Sequence, residues 1–321
     1  MNISFKNFDN TQEFIENYRD LLNPNLLSNI FGSPFFLDYH TKVNCSYLAI
    51  EKSNKLFCYL PYSEEKNSYI SHNGATYGGF IQIENLNNDE IKLIYNKTIN
   101  YLKNAGVNIL KVRFLPEIFV DSNRNSLNVY FKSKMKNLFY EEEYYMELNS
   151  EIENISNANF RRNHKRDIKN FTKTKFEIIE SSKTEYIQIF YNLLEENLKK
   201  HNTSPTHRLN ELEWLLNNLS DKFKLTLIKN SEFYLAGSIK IAINELTDYI
   251  IYGSMNYHTN STGALKFLYL NTAQDSFRNK KKFLTFGINN KHHEEKNLNL
   301  DKFKLGFGCK VANRGTYIIS I

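Results

Sequence analysis

The 321-residue sequence has little of what marks an exported or membrane-spanning chain. Its three cysteines, Cys45, Cys58 and Cys309, are odd in number and without a close pair. That argues against a disulfide framework and against a Cys-rich zinc site, so a reduced, cytoplasmic setting is expected. No run of 18 apolar residues occurs, which leaves no expected transmembrane segment. The opening MNISFKNFDNTQEF lacks a basic stretch followed by an apolar core, so no export signal is read there. A single Trp beside abundant Asn, Lys, Ile, Phe and Tyr is the residue usage of an AT-rich genome and carries no functional information.

What the chain does hold is enough apolar material for a packed core: 41% hydrophobic residues, with 24 Phe and 21 Tyr. Large-scale disorder is therefore not expected. The length suits one large domain or two of about 150 residues. The formal charge of +6 is unevenly placed, since residues 161–175 (RRNHKRDIKNFTKTK) carry seven Lys/Arg against one Asp.

In the first half, residues 1–150, Asn10 or Thr11 caps an amphipathic helix, QEFIENYRDLLN. CSYLAIEK and KLFCYLPYS alternate as strands around a Ser53-Asn54 hairpin turn. The segment SHNGATYGGFIQI holds Gly74, Gly78 and Gly79, a backbone expected to lie open to a ligand. Helix DEIKLIYNKTINYLKNAG repeats apolar residues every 3.6 positions and stops at Gly106, and strand VNILKVRF follows. The second half, residues 151–321, starts with the basic run as a helix and continues through KFEIIES, TEYIQIFYNLLEENLKKH and RLNELEWLLNNLS.

The stretch from Lys224 to Phe286 then reads strand, turn, strand, turn, strand (DYIIYGSMN), polar loop (YHTNST), helix (GALKFLYLNTAQDSFRN), strand (KKFLTFGI). A strand that runs through a polar loop into a helix points the first helical N–H groups at one spot, where a phosphate can sit. Ser261, Thr262, Gly263, Ala264 and Leu265 form that junction. The alternative for the same residues is an ordinary capped helix start.

This order of elements resembles the acyl-CoA-binding half of a GNAT-type acyltransferase. The SPF segment at Ser33, the YGG segment at Tyr77, the RRNxxR-like run and the closing FLTFGINN with NLDKFKLGFG resemble the Fem-like branch of that superfamily. The resemblance implies an α/β fold of two GNAT-like halves, each a mixed β-sheet flanked by helices. It implies transfer of an acyl group from acyl-CoA to an amine of a cell-envelope or glycan precursor. The alternative within the same fold is a Fem-like aminoacyltransferase that draws on charged tRNA and extends a peptidoglycan precursor. A third reading, from another class, is a non-catalytic nucleic-acid-binding protein that uses the basic run.

The resemblance places the donor at Ser261–Leu265, with Tyr77, Arg161, Arg162, His164, Arg166 and Lys304 on the substrate. In the closing pair, NLDKFKLGFG corresponds to a family strand, and family members often carry Asp where this chain has Thr285. Acyl transfer to an amine needs a group that takes a proton. The candidates are His40, Asp38, His201, His258 and Asp275, with Tyr252 as a hydrogen-bond donor or acid, and spacing does not choose among them. His292-His293-Glu294-Glu295 lacks the spacing of a helical zinc motif, so no metal is expected. The helical hairpin arm of Fem-like proteins has no counterpart in residues 183–220, which show no sustained heptads.

Overall fold

The computed structural model describes residues 2–22, 28–39, 44–200, 202–259, 261–291 and 295–321. The chain divides into two compact units. Unit 1 takes residues 1–141, 243–245 and 312–321, and unit 2 takes 142–242 and 246–311. The expected boundary at residue 150 thus moves to Glu141/Glu142, and the C-terminal strand returns to unit 1. A strand holds a unit by ladder pairing rather than by closeness in sequence, and that pairing cannot be read from residue order alone.

Unit 1 contains β1 (Ile3–Phe8), α1 (Thr11–Tyr18), α2 (Pro34–Leu37), β2 (Ser46–Lys52), β3 (Lys55–Glu65), β4 (Ser68–Ser71), β5 (Ile81–Gln82), α3 (Asn88–Asn104), β6 (Ile109–Arg113), α4 (Ser126–Lys134) and the start of β7 (Lys136–Glu147). Its sheet runs β1-β2-β3-β4-β6-β15, with β15 spanning Lys310–Ser320 and β5 on β3. The β4–β6 pair is parallel and the others antiparallel, so the sheet is mixed. The Ser53-Asn54 turn forms as expected, both residues having positive φ (51° and 64°). Asn10 caps α1 through its side chain. Asn87 and Glu90 close a reciprocal capping box on α3, whose Ile91, Ile94, Thr98 and Leu102 are buried.

The glycines of the YGG segment serve packing. A Cβ on Gly78 would stand 2.0 Å from the Ser71 carbonyl oxygen. The Gly78 N–H donates to Arg113 O (2.7 Å), Gly79 N–H to Ser71 Oγ (2.9 Å) and Phe80 N–H to Asn128 Oδ1 (2.7 Å). The expectation of a backbone open to ligand is corrected: Ser71, Arg113 and Asn128 occupy it.

Unit 2 contains the end of β7, a 3-10 turn (Ser150–Glu153), α5 (Arg162–Phe171), β8 (Glu177–Glu180), α6 (Thr184–Lys199), α7 (Leu209–Asn218), β9 (Phe223–Lys229), β10 (Tyr234–Ala242), β11 (Thr247–Met255), α8 (Thr262–Arg278), β12 (Phe283–Ile288), the short β13 (Asn290–Lys291) and β14 (Glu295–Lys296), and α9 (Leu298–Leu305). Its sheet runs β7-β12-β11-β10-β9-β8, with β11 and β12 parallel and the rest antiparallel. Strands of mixed direction flanked by helices in each unit match the expected α/β class. Gly253 faces Tyr269 of α8, while Ser254 Oγ donates to Leu193 O of α6. Strand alternation therefore puts α8 and α6 on opposite faces. The NLDKFKL segment, expected as a strand, is helix α9: the Asn297 side chain accepts the N–H groups of Asn299 and Leu300 and starts a helical turn.

Candidate active site at the parting of two parallel strands

The β11–β12 ladder has three registered pairs, from Thr247↔Phe283 to Tyr249↔Thr285. Beyond Tyr249, β11 continues to Met255 with no strand on that edge among the described residues. Three local causes part the strands. On the far side, the β10 ladder steps from Ile239↔Tyr252 to Lys240↔Ile250, which leaves Ile251 as an extra, bulged residue that adds twist. On β12, Gly287 has φ +67°, a backbone turn that a residue with a Cβ resists. Finally, Lys304 Nζ donates to Gly287 O (3.0 Å) and Ile288 O (2.8 Å), taking up carbonyls that a continuing ladder would use. The result is a wedge whose β11 side has no ladder partner among the described residues, with Ile251, Tyr252 and Gly253 half-buried. Such an edge can grip an extended ligand and direct an N–H at a carbonyl oxygen.

Lys304 is itself buried, with its ammonium 5.4 Å over the Tyr144 ring. Nearby, Thr285 Oγ1 donates to Glu143 Oε1 (2.6 Å) and accepts the Gly287 N–H (3.1 Å). A carboxylate therefore does stand beside Thr285, supplied by β7. The run EEEYYMELN gave no sign of which glutamate turns inward.

The junction at the start of α8 is closed on its Gly263 side. A Cβ there would meet the Asp167 carbonyl oxygen and Phe171 Cβ, each at 3.0 Å. Ala264 is fully buried and Leu265 packs in the core. Ser261 is buried with its hydroxyl against that of Thr259, and Thr262 opens the helix. The side of Gly263 is thus taken up by α5. Beside it, Lys266 Nζ pairs with Asp167 Oδ2 at 2.7 Å.

The basic run splits by face. His164, Ile168 and Phe171 are buried. His164 Nε2 lies 3.1 Å from Phe303 O, and its ring fills the space that a Cβ on Gly306 would need. Burial, with the Lys266 charge, pushes its pKa down to about 4. It is a core residue rather than a substrate contact. Lys165 and Lys169 donate to Ser156 O and Oγ, and Arg166 turns to Asp167. Arg161 and Arg162 are exposed, and no ion pair holds either among the described residues.

The other expected residues are scattered. Tyr252 lies on the open part of β11, its Oη 2.7 Å from His207 Nδ1. Burial pushes the phenol up to about 12, partly offset by hydrogen bonds from His207 and Thr206. No feature of the sequence pointed to His207. His258 is exposed and pairs with the Glu196 carboxylate. Asp275 lies about 20 Å along α8 from Thr262 at 1.5 Å per residue. There it binds Lys240 (2.9 Å) and Lys224 (3.5 Å) in a network with Asp248, away from the wedge. Tyr77 belongs to unit 1, fully buried with the Arg314 guanidinium 6.0 Å over its ring. Tyr77, expected on the substrate, is buried in the core of unit 1, and Asp275, expected among the proton-taking candidates, lies in the Lys240–Asp248 network. Asp38 accepts from Gln12 on the surface. His40, His201 and His292–Glu294 lie outside the described residues.

A cavity of about 410 Å³ in unit 2, lined by Met146, Phe160, Phe307, Lys165 and Lys310 among others, lies at the paired end of β12, where Glu147 faces Phe283. It is separate from the wedge. Among the described residues no cluster of His, Cys, Asp and Glu is placed to hold a metal, and no helix is long and apolar enough to cross a membrane.

No family model matches the chain, and no curated protein matches its sequence. Solved structures do match. FemX superposes with a TM-score of 0.70 at 10% identity, over 100% of this chain and 98% of that one. The chain has the fold of FemX. The same architecture extends to L-PGS from Bacillus licheniformis (TM-score 0.56, 10% identity, 96% of this chain and 90% of that). It extends as well to a tandem GNAT protein from the clavulanic acid biosynthesis pathway (0.51, 7%, 99% and 98%). At these identities the likeness is one of fold, an α/β fold of two GNAT-like halves.

Proposed function

We propose that this protein transfers an acyl group to an amine of a cell-envelope precursor and takes it from an aminoacyl-tRNA in preference to acyl-CoA. The observation that carries the transferase reading is the parting of β11 from β12. It leaves an N–H-bearing edge beside which a donor carbonyl is polarised and an amine is held close to it. The preference for tRNA rests on two further features. The side of Gly263 packs on α5, so the glycine there has a structural use that needs no ligand. The exposed Arg161 and Arg162 suit a phosphodiester backbone. The resemblance to Fem-like aminoacyltransferases agrees with this donor and names a peptidoglycan precursor as acceptor.

Thermal shift with acetyl-CoA, longer acyl-CoAs and aminoacylated tRNA, at low and high salt, tests the proposal. Stabilisation by charged tRNA that weakens steeply with salt is expected. Stabilisation by a CoA ester alone, insensitive to salt, would hand the donor role back to acyl-CoA. Binding of uncharged RNA of any sequence with no acyl transfer would support the non-catalytic reading.

A further inference from the structure

The cavity of about 410 Å³ in unit 2 takes no part in the wedge, and its walls are firmly built. One wall is the segment 149–160 between β7 and α5, and it is tied down from several sides. Gln274 Nε2 of α8 donates to Ile152 O (3.1 Å) and Lys165 Nζ of α5 to Ser156 O (2.8 Å). Within the segment, the N–H groups of Asn157 and Ala158 turn back to Asn154 O (2.9 and 3.0 Å). Gly308 lets the segment come close: its φ is +71°, and a Cβ there would stand 2.1 Å from Asn159 O. The apolar part of the lining is Phe160 and Phe307, edge to face at 5.1 Å, with Ile152 and Met146, all buried.

Opposite charges line the same cavity. Lys310 and Glu147 satisfy each other at 2.7 Å. Lys165 and Glu151 do not: among the described residues neither is in an ion pair, with the other or with any third group. Lys165 spends one ammonium N–H on Ser156 O and keeps two. Glu151 receives no hydrogen bond at its carboxylate among the described residues; only its backbone N–H is engaged, by Asn149 Oδ1 (3.0 Å). A lone anion meets repulsion from Glu151 and a lone cation from Lys165. A molecule that carries both charges and an apolar body answers the whole lining.

We propose that this cavity binds a small zwitterion with an apolar side chain, an α-amino acid or a dipeptide. Its carboxylate lies on Lys165, its ammonium on Glu151 and its side chain against Phe160 and Phe307. The site shares no residue with the wedge, so it holds whether or not the transferase reading does.

The test titrates the whole protein, carbon-13 labelled at its methionine methyls, with L-leucine, L-phenylalanine and glycyl-L-phenylalanine. L-phenylalaninamide and N-acetyl-L-phenylalanine serve as forms that lack one charge. Calorimetry reads the affinity and the Met146 methyl resonance reads the place. At least one zwitterion should bind with a Kd of about 1 mM or tighter, and the better of amino acid and dipeptide tells which length fits. Removing either charge should weaken binding about tenfold. Lys165→Gln should cost L-phenylalanine about tenfold while leaving L-phenylalaninamide within threefold of wild type. Glu151→Gln should do the same to L-phenylalanine and spare N-acetyl-L-phenylalanine. Because the Glu151 carboxylate supports no other group, this second variant decides the matter if Lys165→Gln disturbs the Ser156 contact. Equal affinity for the charged, amidated and acetylated forms would overturn the proposal. So would binding that leaves the Met146 resonance in place, or no binding of any zwitterion at millimolar concentration.

Discussion

Gly263 of α8 lies against the Asp167 carbonyl of α5, so close that a Cβ would stand 3.0 Å from the oxygen. The two features singled out in the sequence, the helix start and the basic run, are therefore in direct contact, and the glycine is what lets them touch. Gly263→Val should destabilise the protein by about 1–3 kcal/mol, because a branched side chain has to push α5 away. Urea unfolding measures this. An unchanged midpoint would mean that the residue faces open space.

The Lys266–Asp167 pair locks the same contact. Lys266 is buried, and Asp167 is held below the usual carboxylate range: burial raises it, but the bonds and charge of Lys266 outweigh that. Asp167→Asn should cost about 3–5 kcal/mol by stranding a buried ammonium, and Asp167→Leu with Lys266→Met should recover most of the loss. A double variant no better than the single one would contradict this account.

His164 predicts a pH dependence. Its folded pKa of about 4 lies below the unfolded value of about 6.5, so in that window the unfolded chain binds the extra proton. Stability should fall as pH drops from about 6.5 to about 4, by up to about 3 kcal/mol, and this component should level off below. It contributes nothing at pH 7 and above, where both states are neutral. The difference between wild-type and His164→Gln unfolding curves across pH isolates it, and a flat difference would refute it.

Arg161 and Arg162 sit at the N-terminal end of α5, and the first turn has no acidic residue and no side-chain cap. Cations there oppose the helix dipole. Arg162→Glu is expected to stabilise the fold by about 0.3–1 kcal/mol while weakening the salt-dependent binding of tRNA. A variant that binds as well as wild type would free this arginine from any part in donor recognition.

Much of the fold was legible because periodicity and turn chemistry are local: the Ser53-Asn54 hairpin, the Asn87–Glu90 box and the 3.6-residue period of α3 need no distant partner. The site was less so. Gly263 and Gly78 carry no mark that says whether a ligand or a neighbouring helix fills the space of the absent Cβ. NLDKFKL has strand-like alternation, but the Asn297 cap turns it into α9. Lys304 reads as a surface lysine until Gly287 and Ile288 bring their carbonyls to it. Tyr252 was visible, but His207 was not, because the contact joins positions 45 residues apart.

The path of the chain bears on how the protein is made. Unit 1 holds the first 141 residues, yet β6 finds its second neighbour only in β15, where Thr316–Ser320 pair with Ile109–Arg113. During synthesis β6 must wait, with an unpaired edge, until all of unit 2 has been translated. Strand edges left open in this way are where chains aggregate or swap. A chain truncated after Val311 and released should therefore show a protease-resistant unit 2 beside a unit 1 that is still digestible.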